Sequence, residues 1–570
     1  MQLQSKRWKI APPVSQQYLA RFGDLDPLVV QLLRNRQIDR PDLADDFLAG
    51  LSAKGNPFGL KGMGEAVMRL RAAIRREEQI AVYGDFDTDG VTATALLVEV
   101  LSALGARVEP YIPHRVDEGY GLNLPALRDL YRRGVRLVVT VDCGIRSFDE
   151  VEQASRGLDL IITDHHAPAR DKPLPPALAI INPKQPDCPY PFDELAGVGL
   201  AFKLAQGLLH AEQYNRKPVV LAEERFLDLV ALGTVADLVP LFWENRSLVR
   251  RGLEQLNQGP RPGIEALMAE AGVRQGEVDA TAIGFRLGPR LNAAGRIDTA
   301  MLAYRLLTSR DALETRDLAR MLGELNRERQ QLTEQTVLEA KAQALDDDAD
   351  ACLYMAASAG FKPGIVGLAA SRLTEAYYRP AVVVEVGPEV SHGSCRSIPE
   401  FHITEALDAC EDLLDHHGGH AAAAGFTVRT DKLDALRRRL KSIAAEELEG
   451  VELKPLLEID AEVALEDVGW DTHQSLRRLE PCGMGNPQPV LLSRGVEVRD
   501  RRQIGSDGSH LKLVLGDGRG AAWDAIFFRQ GALSQHIPAR VDVAYRLGVN
   551  ERNHEKRLQI EVQDLREPSP

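Results

Sequence analysis

Short apolar segments alternate with helical segments between residues 80 and 164. The strand-like runs span residues 80–84, 106–113, 136–142 and 158–164, and helical runs at 92–104, 123–134 and 147–156 separate them. This alternation predicts an α/β fold, in which helices cover both faces of a parallel sheet. Ligands of such sheets bind at the carboxyl ends of the strands, so the residues that follow each strand are the first candidates for a functional site.

Carboxylates and histidines follow these strands. The candidates are Asp85, Asp87 and Asp89 after the first strand, Asp142 after the third, the pair His165-His166 with Asp164 after the fourth, and Asp237 in an apolar helix. Singly, Asp142 has an ordinary explanation as a helix cap, and the two histidines as a structural pair. Asp237 on an apolar helix face is harder to explain, because a buried carboxylate is costly unless it is paired or binds a metal. Asp85–Gly90 also resembles the start of an EF-hand loop, but Leu96 stands where that loop needs a glutamate. Together, at one sheet edge, they predict a metal site.

The residue types indicate which metal and which reaction to expect. Clustered carboxylates repel one another unless cations lie between them. Oxygen ligands with one or two histidines suit Mn²⁺ or Mg²⁺ better than structural Zn²⁺, which favours cysteine. Two such ions can activate water and stabilise the leaving oxygen of a phosphodiester, so metal-assisted phosphoester hydrolysis is the predicted reaction class. The sequence has neither a Walker loop nor a Rossmann glycine motif.

The rest of the chain predicts further domains. Residues 1–74 are predicted as a helical N-terminal extension, and 75–311 as the first α/β domain. A charged helix over 312–347 is interpreted as a solvated linker, with a coiled-coil helix as the alternative. A second α/β domain over 348–450 follows. Residues 455–570 contain five short strands, which predict a small β-barrel, most simply an OB-fold.

Charge and cysteine content bear on partners and location. The chain has 83 acidic and 69 basic residues, a net charge of −14, which weakly opposes nucleic-acid binding. A global sum does not describe a local cleft, so the motifs carry more weight. The six cysteines show no metal-binding spacing and are interpreted as reduced thiols of a cytoplasmic protein. No apolar run is long enough for a membrane helix, and the N-terminus lacks the core of a signal peptide.

Several motifs in the chain resemble one known family. GDFDTDGVTAT, TVDCG, DHH and GTVADLVP occur in the order seen in the DHH phosphoesterase superfamily. YIPHRVDEGYGL, GVGLAFKL, GPRLNAAGR, GSCRS, GGHAAAAG and LEPCGMGNPQP make it most similar to the RecJ family of bacterial exonucleases, over residues 75–565. The resemblance implies a DHH domain and a DHHA1 domain joined by the long helix, followed by an OB-fold.

The activity that the resemblance implies is a 5′→3′ exonuclease of single-stranded DNA. It would use two Mn²⁺ or Mg²⁺ ions, release 5′ nucleotides, and act in DNA repair and recombination. A monomer is expected, with a single-strand-binding protein and a RecQ-type helicase as partners. Two rivals remain. The first is a phosphodiesterase of short substrates, which would not need the barrel, and the second is a binding scaffold, which would not need the intact acidic set.

The resemblance also implies a role for individual residues. The expected metal ligands are Asp85, Asp87, Asp89, Asp142, His165 and Asp237. The expected catalytic residues are His166 near the scissile phosphate, Asp142 as the carboxylate that bridges both metals, and Asp89. The expected DNA-binding residues are Arg115, Arg290, Arg296, Ser394, Arg396 and His420. Arg115, Ser394 and Arg396 are expected to recognise the 5′ phosphate.

Three positions depart from the family pattern. Tyr83 stands where many superfamily members have a histidine, Lys362 where a histidine often precedes Pro-Gly, and Cys395 where glycine is frequent. Asp85 is the natural substitute for the histidine that Tyr83 replaces, and we expect neither Lys362 nor Cys395 to abolish activity. In the barrel, contacts with single-stranded DNA are expected from basic and aromatic residues. The aromatic ones could instead belong to the barrel core. The candidates are Arg494, Arg499, Arg501, Arg502, Trp523, Phe527 and Phe528.

Overall fold

The computed structural model divides the chain into two compact units. It describes residues 5–50, 55–115, 117–169, 172–213, 215, 219–348, 351–505, 507–552 and 555–568. The barrel unit comprises Met1–Ser52, Leu241–Trp243 and Lys454–Pro570. The two-sheet unit comprises Ala53–Pro240 and Glu244–Leu453. None of the helices in the described part of the chain has the length and hydropathy needed to cross a lipid bilayer.

The first sheet of the two-sheet unit is parallel throughout. Its strands, in spatial order, are Arg107–Tyr111, Gln79–Tyr83, Val135–Val141, Asp159–Thr163 and Ala179–Ile181. The central strands are almost entirely buried because helices pack on both faces. The helices of this region are Met63–Arg75, Thr88–Ala103, Leu124–Arg132, Phe148–Ala154 and Gly197–Glu212. The α/β alternation predicted from the sequence is therefore present, with one additional short strand.

A helical layer follows the first sheet. Its helices are Leu227–Ala236, Trp243–Gln258, Pro262–Ala271, Ala280–Ala282, Gly288–Ile297 and Met301–Thr308, with a π-helical turn at Ile283–Leu287. The helix Ala312–Asp348 then leads to the second sheet. Leu318, Leu322 and Ala340 on this helix are buried against neighbouring elements of the same unit. The interpretation as a solvated linker was thus wrong for this face, because it contributes to the packed core.

The second sheet is mixed. Its strands, in spatial order, are Leu414–His420, Ala423–Arg429, Val390–Arg396, Ala381–Glu385 and Tyr354–Ser358, and only the last two pair in parallel. Its helices are Pro363–Tyr377, Ile403–Asp408 and Leu433–Glu447. The glycine-containing motifs GSCRS and GGH lie largely in strands of this sheet. Gly393 pairs with Phe426, whose ring lies 2.1 Å from where a Cβ would be, so the glycine makes room for an aromatic ring.

The barrel unit is a closed sheet. Its five long strands, in order around the barrel, are Leu491–Ile504, His510–Gly516, Ala522–Phe527, Glu555–Arg566 and Arg540–Arg552, which pairs back to the first. This order fits the predicted OB-fold. The N-terminal segment is not only helical, because strand Arg7–Ile10 pairs with Leu456–Ile459. The other elements of this unit are the strand Ala461–Glu462 and the helices Gln16–Leu19, Pro27–Asn35, Pro41–Ala49 and Trp470–Arg477.

Candidate metal centre and arginine cluster

The first acidic motif joins the buried strand Gln79–Tyr83 to a buried helix. Asp87 caps helix Thr88–Ala103, and its carboxylate accepts hydrogen bonds from the backbone N–H groups of Asp89 and Gly90 at 2.9 and 3.1 Å. The free N–H groups of a helix N-terminus favour negative charge there. Asp85 is also buried, and its Oδ1 has no hydrogen-bond partner. An unpaired buried carboxylate oxygen is unfavourable unless a ligand completes it.

Asp89 is held by a second helix N-terminus. Its carboxylate accepts hydrogen bonds from the N–H groups of Gly197 and Val198, at 2.7 and 2.8 Å. These residues begin the helix Gly197–Glu212, so the GVGL motif positions an acidic side chain from the first motif. A Cβ at Gly197 would lie 2.7 Å from the Cβ of Asp142. Glycine therefore allows the helix to approach both carboxylates closely.

Asp142 ends strand Val135–Val141 and lies at the centre of the site. Its backbone adopts the left-handed conformation, with φ of 64°. Its Oδ1 lies 3.1 Å from Nε2 of His165, yet neither atom has a partner in hydrogen-bonding geometry. His165 Nε2 also lies 3.6 Å from Oδ2 of Asp237, the residue that ends helix Leu227–Ala236. Asp85, Asp142 and His165 thus each present an unpartnered atom to the same space.

His166 is oriented by Asp164. The Nδ1 atom of His166 lies 2.8 Å from Oδ1 of Asp164, while Oδ2 of Asp164 accepts the N–H of Ile145 at 2.9 Å. Burial lowers the pKa of His166, but the hydrogen bond and negative charge of Asp164 outweigh it and raise the pKa above the usual value. Burial of His165, without such a carboxylate bond, lowers its pKa to about 3. His165 is therefore neutral, as a metal-binding imidazole must be.

Burial and mutual repulsion raise the pKa values of four acidic residues of the site. Burial, reinforced by the charge of Asp87, raises the pKa of Asp89 to about 7. Burial and the charges of Asp89 and Asp87 raise the pKa of Asp237 to about 9. The pKa values of Asp85 and Asp142 are also well above the usual range, with burial as the largest cause. Carboxylates that resist ionisation in this way are stabilised as anions when cations bind among them.

The ligand atoms form three overlapping sets. Each set lies within 4.8 Å, and the members are Asp85 with Asp87 and Asp142, Asp89 with His165 and Asp237, and Asp142 with His165 and His166. The six metal ligands predicted from the sequence are therefore brought together with His166. Asp142 and His165 each belong to two sets. The oxygen-rich composition and the unpartnered atoms fit Mn²⁺ or Mg²⁺.

Arg115 and Arg296 lie close enough to the acidic cluster to interact with Asp87. The guanidinium of Arg115 lies 4.6 Å from the centre of the Phe86 ring, and burial lowers its pKa although Asp85 and Asp87 act in the opposite direction. Burial, followed by the charges of Arg115 and Arg329, lowers the pKa of Arg296 to about 9. Buried positive charges that repel one another favour an anionic ligand.

The second sheet contributes another arginine. Arg396 donates from Nη1 to Oγ of Ser394 at 3.2 Å and to the carbonyl of Cys395 at 2.8 Å. Burial is the main cause of its lowered pKa, and the charge of Arg115 adds to it. His420 lies in the same cross-strand row, because His420 pairs with Ala423 and Ala423 pairs with Arg396. Directly paired residues share a sheet face, so His420 is two strands from Arg396 on that face.

Arg290 is set apart from these arginines. It lies on helix Gly288–Ile297 with Arg296, but its Nη1 donates to the carbonyl of Arg286 at 2.6 Å. After burial, the charges that act on its pKa are those of Glu270, Arg286 and Arg327, none of which belongs to the metal centre. The structure therefore places Arg290 outside the group formed by Arg115, Arg296 and Arg396, which we call the first arginine group or arginine cluster.

Sequence comparisons identify the family. Three family models match the chain. The model of the DHH family, N-terminal domain, matches residues 79–234, that of the DHHA1 domain matches residues 350–446, and that of the RecJ OB domain matches residues 459–564. The single-stranded-DNA-specific exonuclease RecJ of Bacillus subtilis is 40% identical over 566 residues, which cover 98% of this chain and 70% of that protein. The chain belongs to the RecJ family.

Solved RecJ structures share the fold and contain the expected metals. The crystal structure of RecJ from Thermus thermophilus in complex with Mn²⁺ is 31% identical, with a TM-score of 0.84 over 99% of this chain and 80% of that one. The corresponding Mg²⁺ complex is 30% identical, with a TM-score of 0.79 over 99% and 79% of the two chains. The ligand sets described above fit either ion, as the sequence predicted.

Sequence reasoning found no sign of Tyr120 and Asn292 at this RecJ-family site, and it placed Asp164 there without a role of its own. Asp164 was noted as part of the DHH motif but given no role, although it holds His166. The hydroxyl of Tyr120 lies 3.1 Å from Nδ1 of His166 and 3.3 Å from the carbonyl oxygen of Asp142. Asn292 accepts the N–H of Thr88 at 2.7 Å and so supports the first motif. The signal for Asp164 was its position at the end of a strand, whereas Tyr120 and Asn292 lie in motifs without such a signal.

The departures from the RecJ pattern have local explanations. The hydroxyl of Tyr83 donates to the carbonyl of Gly121 at 3.1 Å and accepts from Asn123 at 3.0 Å. Tyr83 thus anchors the loop that holds Tyr120. Cys395 alternates with Ser394 and Arg396 along its strand and is buried in the hydrophobic core, away from their face. Lys362 precedes helix Pro363–Tyr377 without a side-chain cap bond.

Proposed function

We propose that this RecJ-family chain removes 5′ nucleotides from single-stranded DNA in the 5′→3′ direction, with two Mn²⁺ or Mg²⁺ ions. The observation that carries the proposal is the proximity, in one unit, of a buried acidic cluster and a partly buried arginine cluster. The acidic cluster presents unpartnered atoms of Asp85, Asp142 and His165, and the charges of the arginine cluster repel one another. The charges of Asp85 and Asp87 raise the pKa of Arg115 against the effect of burial, so the two clusters are close enough to interact. A phosphodiester bound over divalent cations satisfies both.

Each side of the site has a distinct task in this reaction. Divalent cations supply an activated water and neutralise the charge that develops on the leaving oxygen. Asp142 and His165 belong to two ligand sets each and would hold both positions together. His166, which Asp164 keeps in place, would donate a hydrogen bond to the scissile phosphate. Its raised pKa favours the protonated form that such a donor needs.

The direction of the reaction requires recognition of one strand end. A terminal phosphate carries more negative charge than the phosphates within a strand. We assign its recognition to Arg115, Arg396 and Ser394. Mutual repulsion between Arg115 and Arg396 supports this assignment, because an anion between them would remove it.

The barrel unit is proposed to bind the strand, but with fewer residues than the sequence suggested. Phe527 is in the barrel core, and Arg499 is paired with Glu497 at 3.0 Å. Other candidates are also engaged within the unit: Arg494 with Glu462 at 2.8 Å, Arg501 with the carbonyl of Ile537, and Trp523 packed against the core. Phe528 remains 51% exposed, and Arg502 is exposed, so these two are the best stacking and phosphate contacts.

A truncation tests the role of the barrel unit. Removal of residues 455–570 alone would leave strand Arg7–Ile10 without its partner, so residues 1–52 should be removed with them. We expect the shortened protein to retain metal-dependent cleavage and to bind long single strands less tightly. All four tryptophans, Trp8, Trp243, Trp470 and Trp523, lie in the barrel unit. Quenching of their fluorescence by single-stranded DNA in the full chain should therefore report binding to this unit. Equal binding by the shortened protein would contradict the proposal.

The cellular setting follows from the family resemblance and remains a proposal. It comprises a monomer in the cytoplasm that acts in repair and recombination with a single-strand-binding protein and a RecQ-type helicase. The six cysteines, all free, support a reducing compartment. The domain limits 1–74, 75–311, 312–347, 348–450 and 455–570 are proposed on the same basis. Light scattering and co-purification with each partner test this setting.

One assay tests the activity itself. End-labelled single-stranded DNA, duplex DNA and short RNA are each incubated with Mn²⁺ and with EDTA. We expect metal-dependent loss of single-stranded DNA from its 5′ end and little effect on duplex DNA. Preferential cleavage of the short RNA would instead favour the small-substrate phosphodiesterase. Binding without cleavage in Mn²⁺ would favour the scaffold.

A further inference from the structure

A second group of arginines lies outside the predicted end-phosphate site. Helix Ala312–Asp348 packs against helix Gly288–Ile297 and against helix Pro363–Tyr377. These three helices carry Arg329, Arg290 and Arg372 respectively. After burial, the charges that lower the pKa of Arg329 are those of Arg372 and Arg290. Arg329 therefore interacts with each of the other two guanidinium groups, although the three come from separate helices.

The group has unused hydrogen-bonding capacity. The Nε atoms of Arg329 and Arg290 are buried and have no hydrogen-bond partner. Asn326, one turn before Arg329, is buried and its Oδ1 is also unpartnered, and a flip of this amide would turn its Nδ2 donor toward a phosphate. Residues three apart share a helix face, so Asn326 and Arg329 face the same side. Buried polar atoms are nearly always paired in folded proteins, so this concentration indicates a missing polar ligand.

The carboxylates near the group do not neutralise it. Glu375 lies 3.4 Å from Arg372, and both side chains are more than half exposed, so the ion pair is weak. Glu270 acts on Arg290 but makes its 3.0 Å ion pair with Arg327. After burial, only arginine charges act on the pKa of Arg329. The group therefore retains net positive charge.

We propose that Arg329 and Arg372 join Arg290, which the family resemblance already assigns to DNA, in a second phosphate site that binds an internal phosphodiester of the DNA strand. This inference rests on the proposed function, because it assumes that a strand enters the site. Arg296 connects the two arginine groups, since the charges of Arg115, Arg396 and Arg329 all act on it. A strand whose 5′ phosphate binds Arg115 and Arg396 can thus extend its backbone along Arg296 to Arg329. Arginine suits this role because its planar fork can grip two phosphate oxygens.

The test compares two arginines of the same helix in the full-length protein. Arg329→Met keeps the packing of the aliphatic stem and removes the charge. Arg320→Met is the matched control, because Arg320 is exposed and lies 3.6 Å from Asp317 in an exposed ion pair. We expect Arg329→Met to raise the KM for long single-stranded DNA roughly tenfold, the effect of losing a charged hydrogen bond, with kcat unchanged. The control should keep the wild-type KM.

Two further readouts separate this site from its alternatives. The slope of log KM against log salt should change by about 0.7, the value for one phosphate contact on a single strand. The preference for a 5′ phosphate over a 5′ hydroxyl should remain that of the wild type, because the end site is intact. A KM for Arg329→Met equal to that of the control, or a lost end preference, would overturn the second site.

A folding defect would not leave the question open. Because the Nε of Arg329 is unpartnered, Arg329→Met should melt no lower than the control. If it fails to fold, Arg372→Met tests the exposed member of the group. This variant should raise the KM and change the salt slope in the same direction, and wild-type values for both would overturn the site. Absence of metal-dependent cleavage in the wild type would instead reject the proposed function.

Discussion

The acidic cluster and the first arginine group each gather charges of one sign, negative in the first and positive in the second. Their side chains are held in different ways. The acidic side chains are short, and backbone N–H groups fix them, as Gly197 and Val198 fix Asp89. The arginines are long and donate to single carbonyls, as Arg296 donates to Gly364 at 3.1 Å. Most of their five N–H donors remain available.

This difference indicates that the acidic cluster needs more accurately placed side chains than the arginine group does. Metal ions require ligands at closely defined distances, so the acidic cluster is built on strand ends and helix N-termini. A DNA backbone is flexible and must move after each cleavage, so adaptable side chains suit its phosphates. We therefore expect substitutions among the acids to abolish the reaction, and substitutions among the arginines to change affinity and end preference.

The largest expected effect is at Asp142. Asp142→Ala should reduce hydrolysis by roughly 10³-fold or more, as expected for loss of a group that organises charge in the transition state. Because Asp142 has a positive φ, Asp142→Asn is the better-tolerated variant, since asparagine accepts this conformation. Steady-state cleavage at saturating Mn²⁺ measures the effect. Asp149→Ala, which removes an exposed carboxylate near Lys172, is the control. Near-normal turnover of both Asp142 variants would contradict the assignment.

A smaller effect is expected at Arg396. Arg396→Ala should lower the preference for 5′-phosphate over 5′-hydroxyl ends about tenfold, because a charge-assisted contact to the terminal phosphate is lost. Arg429→Ala on the neighbouring strand removes an exposed arginine paired with Asp431 and should leave the ratio unchanged. Matched oligonucleotides that differ only at the 5′ end give this ratio. A reduced rate with an unchanged ratio would assign Arg396 to general backbone contact.

The same contrast explains what the sequence could predict. The acids follow successive strands, so the period of the apolar residues was enough to place Asp85, Asp142 and Asp164 at one sheet edge. Arg115 and Arg396 come from distant segments with no shared period, and only the family resemblance linked them. Helix Ala312–Asp348 was predicted within one residue of its bounds. Its buried face was not, because a long charged helix gives no sign of which neighbours it will pack against.

Asp164 shows a further limit of sequence reasoning. A carboxylate beside two histidines can bind a metal, orient an imidazole or cap a turn, and the residue types are the same in each case. Only the 2.8 Å contact to Nδ1 of His166 distinguishes them. The glycine motifs of the second sheet were ambiguous for a related reason. The role of Gly393 depends on Phe426, a partner 33 positions along the chain, whose strand register the sequence does not reveal.

The smallest expected effect concerns stability and pH without metal. Asp89 and Asp237 have folded-state pKa values of about 7 and about 9, above those of unfolded aspartate. Between pH about 4 and about 9 these two carboxyl groups therefore bind more protons in the folded chain than in the unfolded chain, so their contribution to stability falls as pH rises. The lowered pKa of His165 acts in the opposite direction, but only below its usual value of about 6.5. In EDTA, the melting temperature of the two-sheet unit should decrease across this range. Asp237→Asn should flatten the upper part of the decrease.

Mn²⁺ should reverse this trend, because it binds the ionised carboxylates of the folded state only. The gain in melting temperature on adding Mn²⁺ should be larger at pH 8 than at pH 5. Calorimetry is the appropriate measurement, since all four tryptophans lie in the barrel unit and their fluorescence would follow the other transition. A melting temperature in EDTA that rises between pH 5 and pH 8 would show that the carboxylates are not destabilised by their mutual burial. The acidic cluster would then need another explanation than a site built for cations.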